Sequence, residues 1–221
     1  MKRYAVRSLL AAVVALLVSP FVPAAPEPSP VRSTEHFPLA NGLRWTYESN
    51  LGEVSSWAEV SGNECRVLST SSALDTEQKM LLAPEGVYLL ATKSKVYFVK
   101  SERTYQPPLL RLPLPLKVGR TWNWSGKETV DGEEIQTVIT GSVEAEEKVT
   151  APAGEFTCLR VKVATACSDG TTASSTQWLA SGVGIVKAEI AIEAGGLSGF
   201  LISLLGMDTF TLELKEMKTG K

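Results

Sequence analysis

One phrase occurs twice in this chain of 221 residues. Pro38-Leu39-Ala40-Asn41-Gly42-Leu43-Arg44-Trp45-Thr46-Tyr47 returns as Pro115-Leu116-Lys117-Val118-Gly119-Arg120-Thr121-Trp122-Asn123-Trp124, with Pro, Leu, Gly, Trp and a second aromatic in register. A Pro-Leu-x-x-Gly turn sets the direction of the chain, and the Trp-x-aromatic strand that follows turns both rings to one face. The phrase therefore specifies architecture: two sheet segments that begin alike, at 38 and at 115. No comparable phrase specifies chemistry.

The pattern between these landmarks is that of antiparallel sheet. Apolar residues alternate with polar ones, and turn residues recur every 8 to 14 positions, which predicts about 11 or 12 strands. Expected strands include Trp45 to Ser49, Ser55 to Ser61, Cys65 to Ser71, Lys79 to Leu82, Val87 to Thr92 and Val96 to Ser101. The second half adds Trp122 to Lys127, Glu134 to Val149, Phe156 to Ala166, Thr176 to Ala180, Gly184 to Ile192 and Thr209 to Met217. Ala83-Pro84-Glu85-Gly86 and Asp131-Gly132 predict tight hairpins. An antiparallel sheet of this size must curl into a barrel, half-barrel or sandwich to hide its edges and its apolar face. The expected fold class is thus all-β and strongly curved. Rossmann and P-loop architectures are excluded, since nothing between 37 and 217 reads as a long helix.

Residues 1–25 read as a secretory signal peptide: Lys2, Arg3 and Arg7 precede an apolar run from Leu9 to Val18, and Val22-Pro23-Ala24 offers small residues for cleavage. The run is far short of the roughly 20 residues of a membrane-spanning helix, although an uncleaved anchor is the alternative reading. Residues 26–36 form a proline-rich linker and 37–217 a single all-β domain. An exported chain, periplasmic or extracellular, is expected. The whole chain carries a net charge of −2, and the leader takes three basic residues and no acidic one. A mildly acidic remainder without basic clusters argues against nucleic acid as a partner. Cys65, Cys158 and Cys167 make an odd count for an oxidising compartment, leaving one bridge of any pairing, or none.

Two apolar stretches break the alternation. Pro107 to Leu116 places four Pro and five Leu around a single Arg111, and its prolines argue against a ladder-forming central strand. Gly195 to Met207 places Leu197, Phe200, Leu201, Leu204 and Leu205 at helical spacing, which predicts a short helix near 197–206, with a strand as the competing reading. Both stretches serve as core filler, as the lining of a cavity for an apolar ligand, or as a protein-binding surface. On the second reading the candidate ligand-binding residues are Leu109, Leu110, Leu197, Phe200, Leu201, Leu204 and Leu205.

Chemistry is thinly supplied. The one histidine, His36, sits at the junction of linker and domain, so a nucleophile–histidine arrangement has no anchored base. Metal-ligand spacing is absent, so no metal and no cofactor is expected. The acidic clusters Glu133–Glu134 and Glu144–Glu146–Glu147 leave a carboxylate-dependent hydrolase as the weakest alternative; they read more simply as a solvated sheet face.

Two further motifs carry a family resemblance. Thr150-Ala151-Pro152-Ala153-Gly154-Glu155-Phe156 resembles the Thr-x-Pro-Ala-Gly-x-Phe hairpin of a group of bacterial exported proteins, and Trp178-Leu179-Ala180-Ser181-Gly182-Val183-Gly184-Ile185-Val186-Lys187 is similar to the strand pair that follows it there. With Phe37-Pro38-Leu39 through Tyr47, these resemble the TapB-like group of proteins with a domain of unknown function. The resemblance implies an all-β, envelope-associated protein without an assigned activity. Its shared residues are turn and core residues, with Trp45, Trp122 and Trp178 each expected to bury its ring. The resulting expectation is a non-enzymatic envelope protein that binds an apolar small molecule or lipid, with an envelope protein as the alternative partner.

Overall fold

The computed structural model describes residues 34–194 and 208–219. Among them run twelve strands and no helix, each strand antiparallel to the next, and the last pairs with the first to close a barrel. In chain order they are β1 Arg44–Ser49, β2 Val54–Ser61, β3 Glu64–Thr70, β4 Leu74–Ala83, β5 Gly86–Val96, β6 Val99–Pro113, β7 Thr121–Val130, β8 Glu133–Ala151, β9 Gly154–Cys167, β10 Thr172–Ala180, β11 Gly184–Glu193 and β12 Thr209–Lys218. Closure runs from Arg44 opposite Lys218 to Ser49 opposite Leu212, with one irregularity between Thr46 and Tyr47. The signal peptide and most of the linker fall outside the described residues, as does the stretch 195–207 expected to be helical.

The two copies of the repeated phrase make the same turn. Gly42 and Gly119 both take φ of 85°, a conformation that glycine adopts without steric cost. The Leu43 amide bonds to the Ala40 carbonyl and the Arg120 amide to the Lys117 carbonyl, at matching positions. Trp45 with Tyr47, and Trp122 with Trp124, then enter β1 and β7 as buried pairs. At Asp131-Gly132 both residues take positive φ, 46° and 97°, the backbone of a tight hairpin between right-twisted strands.

Alternation decides which side chains fill the barrel. On β2, Val54, Ser56 and Ala58 are buried while Ser55 and Glu59 face water. On β10, Leu179 is buried and Gln177 faces the interior, so Trp178 between them points outward. There its ring lies half-buried under Lys187, and its indole N–H donates to Glu147 at 2.6 Å. This corrects the expectation of a third core tryptophan: period two places it on the wet face, in a belt of cross-strand ion pairs that joins Glu147, Arg160, Lys187 and Glu213.

Three strand expectations also change. Val96 to Ser101 is not one strand, because the chain reverses at Tyr97-Phe98 between β5 and β6. β4 starts at Leu74, five residues ahead of the expected Lys79. The proline–leucine stretch does join the sheet: Leu109, Leu110, Leu112 and Pro113 pair with β5. The prolines act where they stand. The β5–β6 ladder jumps from Leu89–Leu109 to Ala91–Thr104, and the β6–β7 ladder ends at Gln106. Pro107 and Pro108 thus release the second half of β6 from β7, and it turns in toward the opposite walls.

Gly141 shows how closely the second aromatic pair is packed. A Cβ built there would lie 2.2 Å from the Trp122 indole, and the residue is paired directly opposite Trp122. Gly141→Ala is expected to cost about 1–3 kcal/mol by overpacking. Urea unfolding checks this through a lower midpoint at unchanged slope.

Candidate ligand-binding cavity

Among the described residues the barrel is solid at one end and hollow at the other. Met80 and Leu82 at the end of β4, Val87 at the start of β5, Leu179 at the end of β10 and Val186 at the start of β11 are almost completely buried. All lie toward the end that the N-terminal segment covers. That segment is tied down by the Glu35 carbonyl, which accepts from the Gly182 amide at 2.7 Å, and by Thr34 capping Phe37. Phe37 and Leu39 hang from it into the interior as a floor.

Above this floor lies a cavity of about 310 Å³. Its apolar wall comes from Val54, Val67, Leu74, Ile185, Ala188, Ile190, Phe210 and Leu212, on strands β2, β3, β4, β11 and β12. A smaller polar set shares the space: Ser56, Ser69, Thr76, Gln78, Gln177, Tyr47 and Arg111. The volume is at the low end for small-molecule sites, and an apolar lining with a few polar groups is their usual character.

Arg111 is the one basic side chain in this lining. The inward turn of β6 brings it here, between Leu110 and Leu112. Its Nη1 donates to Gln78 Oε1, and the guanidinium carbon stands 5.0 Å from the centre of the Phe37 ring. Burial lowers its pKa, while the neighbouring Tyr105 and Tyr47 act in the opposite direction. A guanidinium nevertheless remains protonated at any physiological pH. Arg111 is half-buried and borders two voids inside the barrel. Taking such a cation from water costs on the order of several kcal/mol unless an anion compensates. No carboxylate among the described residues pairs with it.

Two of the sequence-predicted residues, Leu109 and Leu110, fall beside this site. Leu109 is buried and Leu110 partly so; with Arg111, Leu112, Ile139 and Val163 they line a separate void of about 90 Å³. Leu197, Phe200, Leu201, Leu204 and Leu205 lie outside the described residues. Of the acidic clusters, Glu134 pairs with Lys127, and Glu144 and Glu147 pair with Arg160, while Glu133 and Glu146 are exposed. A wider groove of about 610 Å³ at the rim contains Asp75, Lys93, Lys95 and Glu102, whose charges pair with one another. Among the described residues no group of three or more His, Cys, Asp or Glu could hold a metal ion. Sequence reasoning missed the cavity wall of β2–β4 and Arg111 itself. The available signal was a lone cation inside a run of leucines.

Fold and cavity together define a class: an up-and-down antiparallel β-barrel with an interior cavity. A DUF3108-like family model matches residues 126–199, the part that holds both the Pro-Ala-Gly hairpin and the Gly-Val-Gly strand pair. No curated protein matches the chain. Among solved structures it is similar to a candidate lipoprotein of Parabacteroides distasonis (15% identity, 84% of this chain and 99% of that one, TM-score 0.42). It is similar also to a candidate exported protein with YmcC-like fold from Bacteroides fragilis (12% identity, 84% and 100%, TM-score 0.44). A third is the hypothetical lipoprotein YmcC of Escherichia coli K12 (13% identity, 79% and 83%, TM-score 0.46).

Two titration behaviours follow from the burial pattern. All three cysteines are unpaired. Burial, with Glu59 and Glu147 respectively adding, pushes the Cys65 and Cys158 thiols up to about 11. Both are expected to resist a thiol reagent at neutral pH until the protein unfolds, with half-buried Cys167 reacting first; a timed thiol assay with and without urea checks this. Burial also raises the Tyr47 pKa well above its usual value, against the smaller opposing effect of Arg111. Below pH ~10 both folded and unfolded states keep the phenolic proton. Above it the unfolded chain releases the proton first, so stability falls as pH rises toward the folded-state pKa. Tyr47→Phe is expected to flatten part of that fall in urea midpoints measured from pH 8 to 11.

Proposed function

We propose that this is an exported, non-enzymatic protein of the bacterial envelope, periplasmic or extracellular, that carries an apolar or amphipathic small molecule in the hollow end of its barrel. The single observation that supports the reading is the cavity of about 310 Å³ walled by aliphatic and aromatic side chains. Burial of an alkyl chain there gains roughly 25 cal/mol for each Å² removed from water. Export is supported by the leader over residues 1–25, and the TapB-like resemblance of the three motifs fits the same setting. Pairing of Glu134, Glu144 and Glu147 with basic side chains favours binding over hydrolysis.

A second reading has its own observation. Phe98 is 83% exposed and Tyr97 46% exposed at the tip of the β5–β6 hairpin, and Tyr97 takes a φ of 54° that bulky residues seldom adopt. A partner protein of the envelope would find its contact at that tip.

Native mass spectrometry of the protein purified from its own host separates the two. A non-covalent adduct of lipid mass, lost on organic extraction, is expected. Ala188→Phe, which projects a ring into the cavity, is expected to remove the adduct and to weaken Nile red binding by at least about tenfold at unchanged fold. A stoichiometric protein partner without any adduct, together with no Nile red binding by the extracted protein, would sink the carrier reading.

A further inference from the structure

We propose that Arg111 is the counter-ion for the headgroup of a single-chain anionic amphiphile, a carboxylate or a phosphate ester, held in the barrel cavity. The inference rests on the carrier reading and narrows it to one charge class.

It starts from an imbalance. The outer wall answers most of its cations with acids: Arg66 with Glu59 and Glu77, Arg160 with Glu144 and Glu147, Lys187 with Glu189 and Glu213. Even the buried Glu128 keeps Arg103 at 3.1 Å. Arg44, Lys100, Lys117, Arg120 and Lys162 also go without an acid, but each is exposed to water; among the described residues Arg111 goes without one in the interior, where leaving a charge unanswered is most costly. The groups that influence it electrostatically are the phenols of Tyr105 and Tyr47, both of which burial keeps in the uncharged form. Neither supplies the missing negative charge.

The guanidinium is also held as if for use. Gln78 accepts from one nitrogen and Phe37 lies under the group, which fixes its plane. A guanidinium has five N–H donors, and Gln78 Oε1 is the acceptor its side chain finds among the described residues. The donors left over suit the two-pronged recognition of a carboxylate or phosphate. Filling space and bridging to Gln78 would need no cation: a glutamine in this place would do both without drawing a charge out of water. In the lining of the same cavity, the Ser56 and Ser69 hydroxyls share a 2.7 Å hydrogen bond and offer further polar contacts. Val54, Leu74, Ile190 and Phe210 remain for the alkyl tail. One cation with a short polar patch and one apolar wall match one anionic head and one chain.

Four ligands with the same tail test the assignment on extracted full-length protein: decanoate, decyl phosphate, decanol and decyltrimethylammonium, each titrated by displacement of Nile red. The expected order is anions over alcohol by about 10- to 100-fold, with the cation weakest, the range that charge-assisted hydrogen bonds supply. The tighter of the two anions identifies the headgroup. Arg111→Gln is expected to bring both anions down to the level of decanol, whose own binding changes by less than about threefold. Should that variant fail to fold, the order among the four ligands on the unaltered protein still decides the matter. Equal binding of anion and alcohol, or a preference for the cation, overturns the counter-ion role while leaving the carrier reading intact. Failure of all four to bind removes the carrier reading, and the counter-ion role with it.

Discussion

A closed barrel of twelve strands is wider than its own inward side chains can fill. Eight strands already leave an interior that side chains just close, or that holds one small ligand, and width grows with strand number. The remaining features of this molecule are responses to that width. The N-terminal segment folds back with Phe37 and Leu39 as a floor, and the second half of β6 leaves its neighbour at Pro107 and Pro108 and leans into the lumen. These two insertions make one end solid. The other end keeps its hollow.

The same geometry separates structural work from binding work along single strands. β4 begins with Leu74, Thr76 and Gln78 at the cavity and ends with Met80 and Leu82 in the packed end. β11 presents Val186 to the core and Ala188 and Ile190 to the cavity. Outside, ion pairs bridge neighbouring strands and keep a long convex surface in water. Individually such exposed pairs contribute little to stability. Their consequence here is contrast, because they make the uncompensated charge of Arg111 stand out.

The turns were legible in the residues. Asp131-Gly132 and Gly42 and Gly119 in the repeated phrase announced backbone that few other residues adopt, and each is a turn with positive φ. The strand number was legible too, since period-two alternation and turn spacing are local properties. What could not be read was which strands face which across the lumen. Trp178 looked like core because tryptophan usually is, yet its position between Gln177 and Leu179 puts it outside. Pro107 to Leu116 looked like a loop because prolines break ladders; in fact the prolines interrupt the ladder at two positions and the leucines after them resume it on one side. Of the residues among which a cavity was sought, Leu109 and Leu110 border a lesser void, and the arginine beside them went unread.

Alternation, turn chemistry and the duplicated Pro-Leu-x-x-Gly-x-x-Trp phrase determine by themselves that this chain is a curved antiparallel sheet, for these depend on residues within a few positions of one another. Closure, the half-hollow lumen and the placing of Arg111 against Gln78 and Phe37 were decided only by the tertiary structure. Those contacts join residues 33 and 74 positions apart, and whether a charged side chain ends in water or in a barrel depends on where the sheet meets itself, which no short window of sequence encodes.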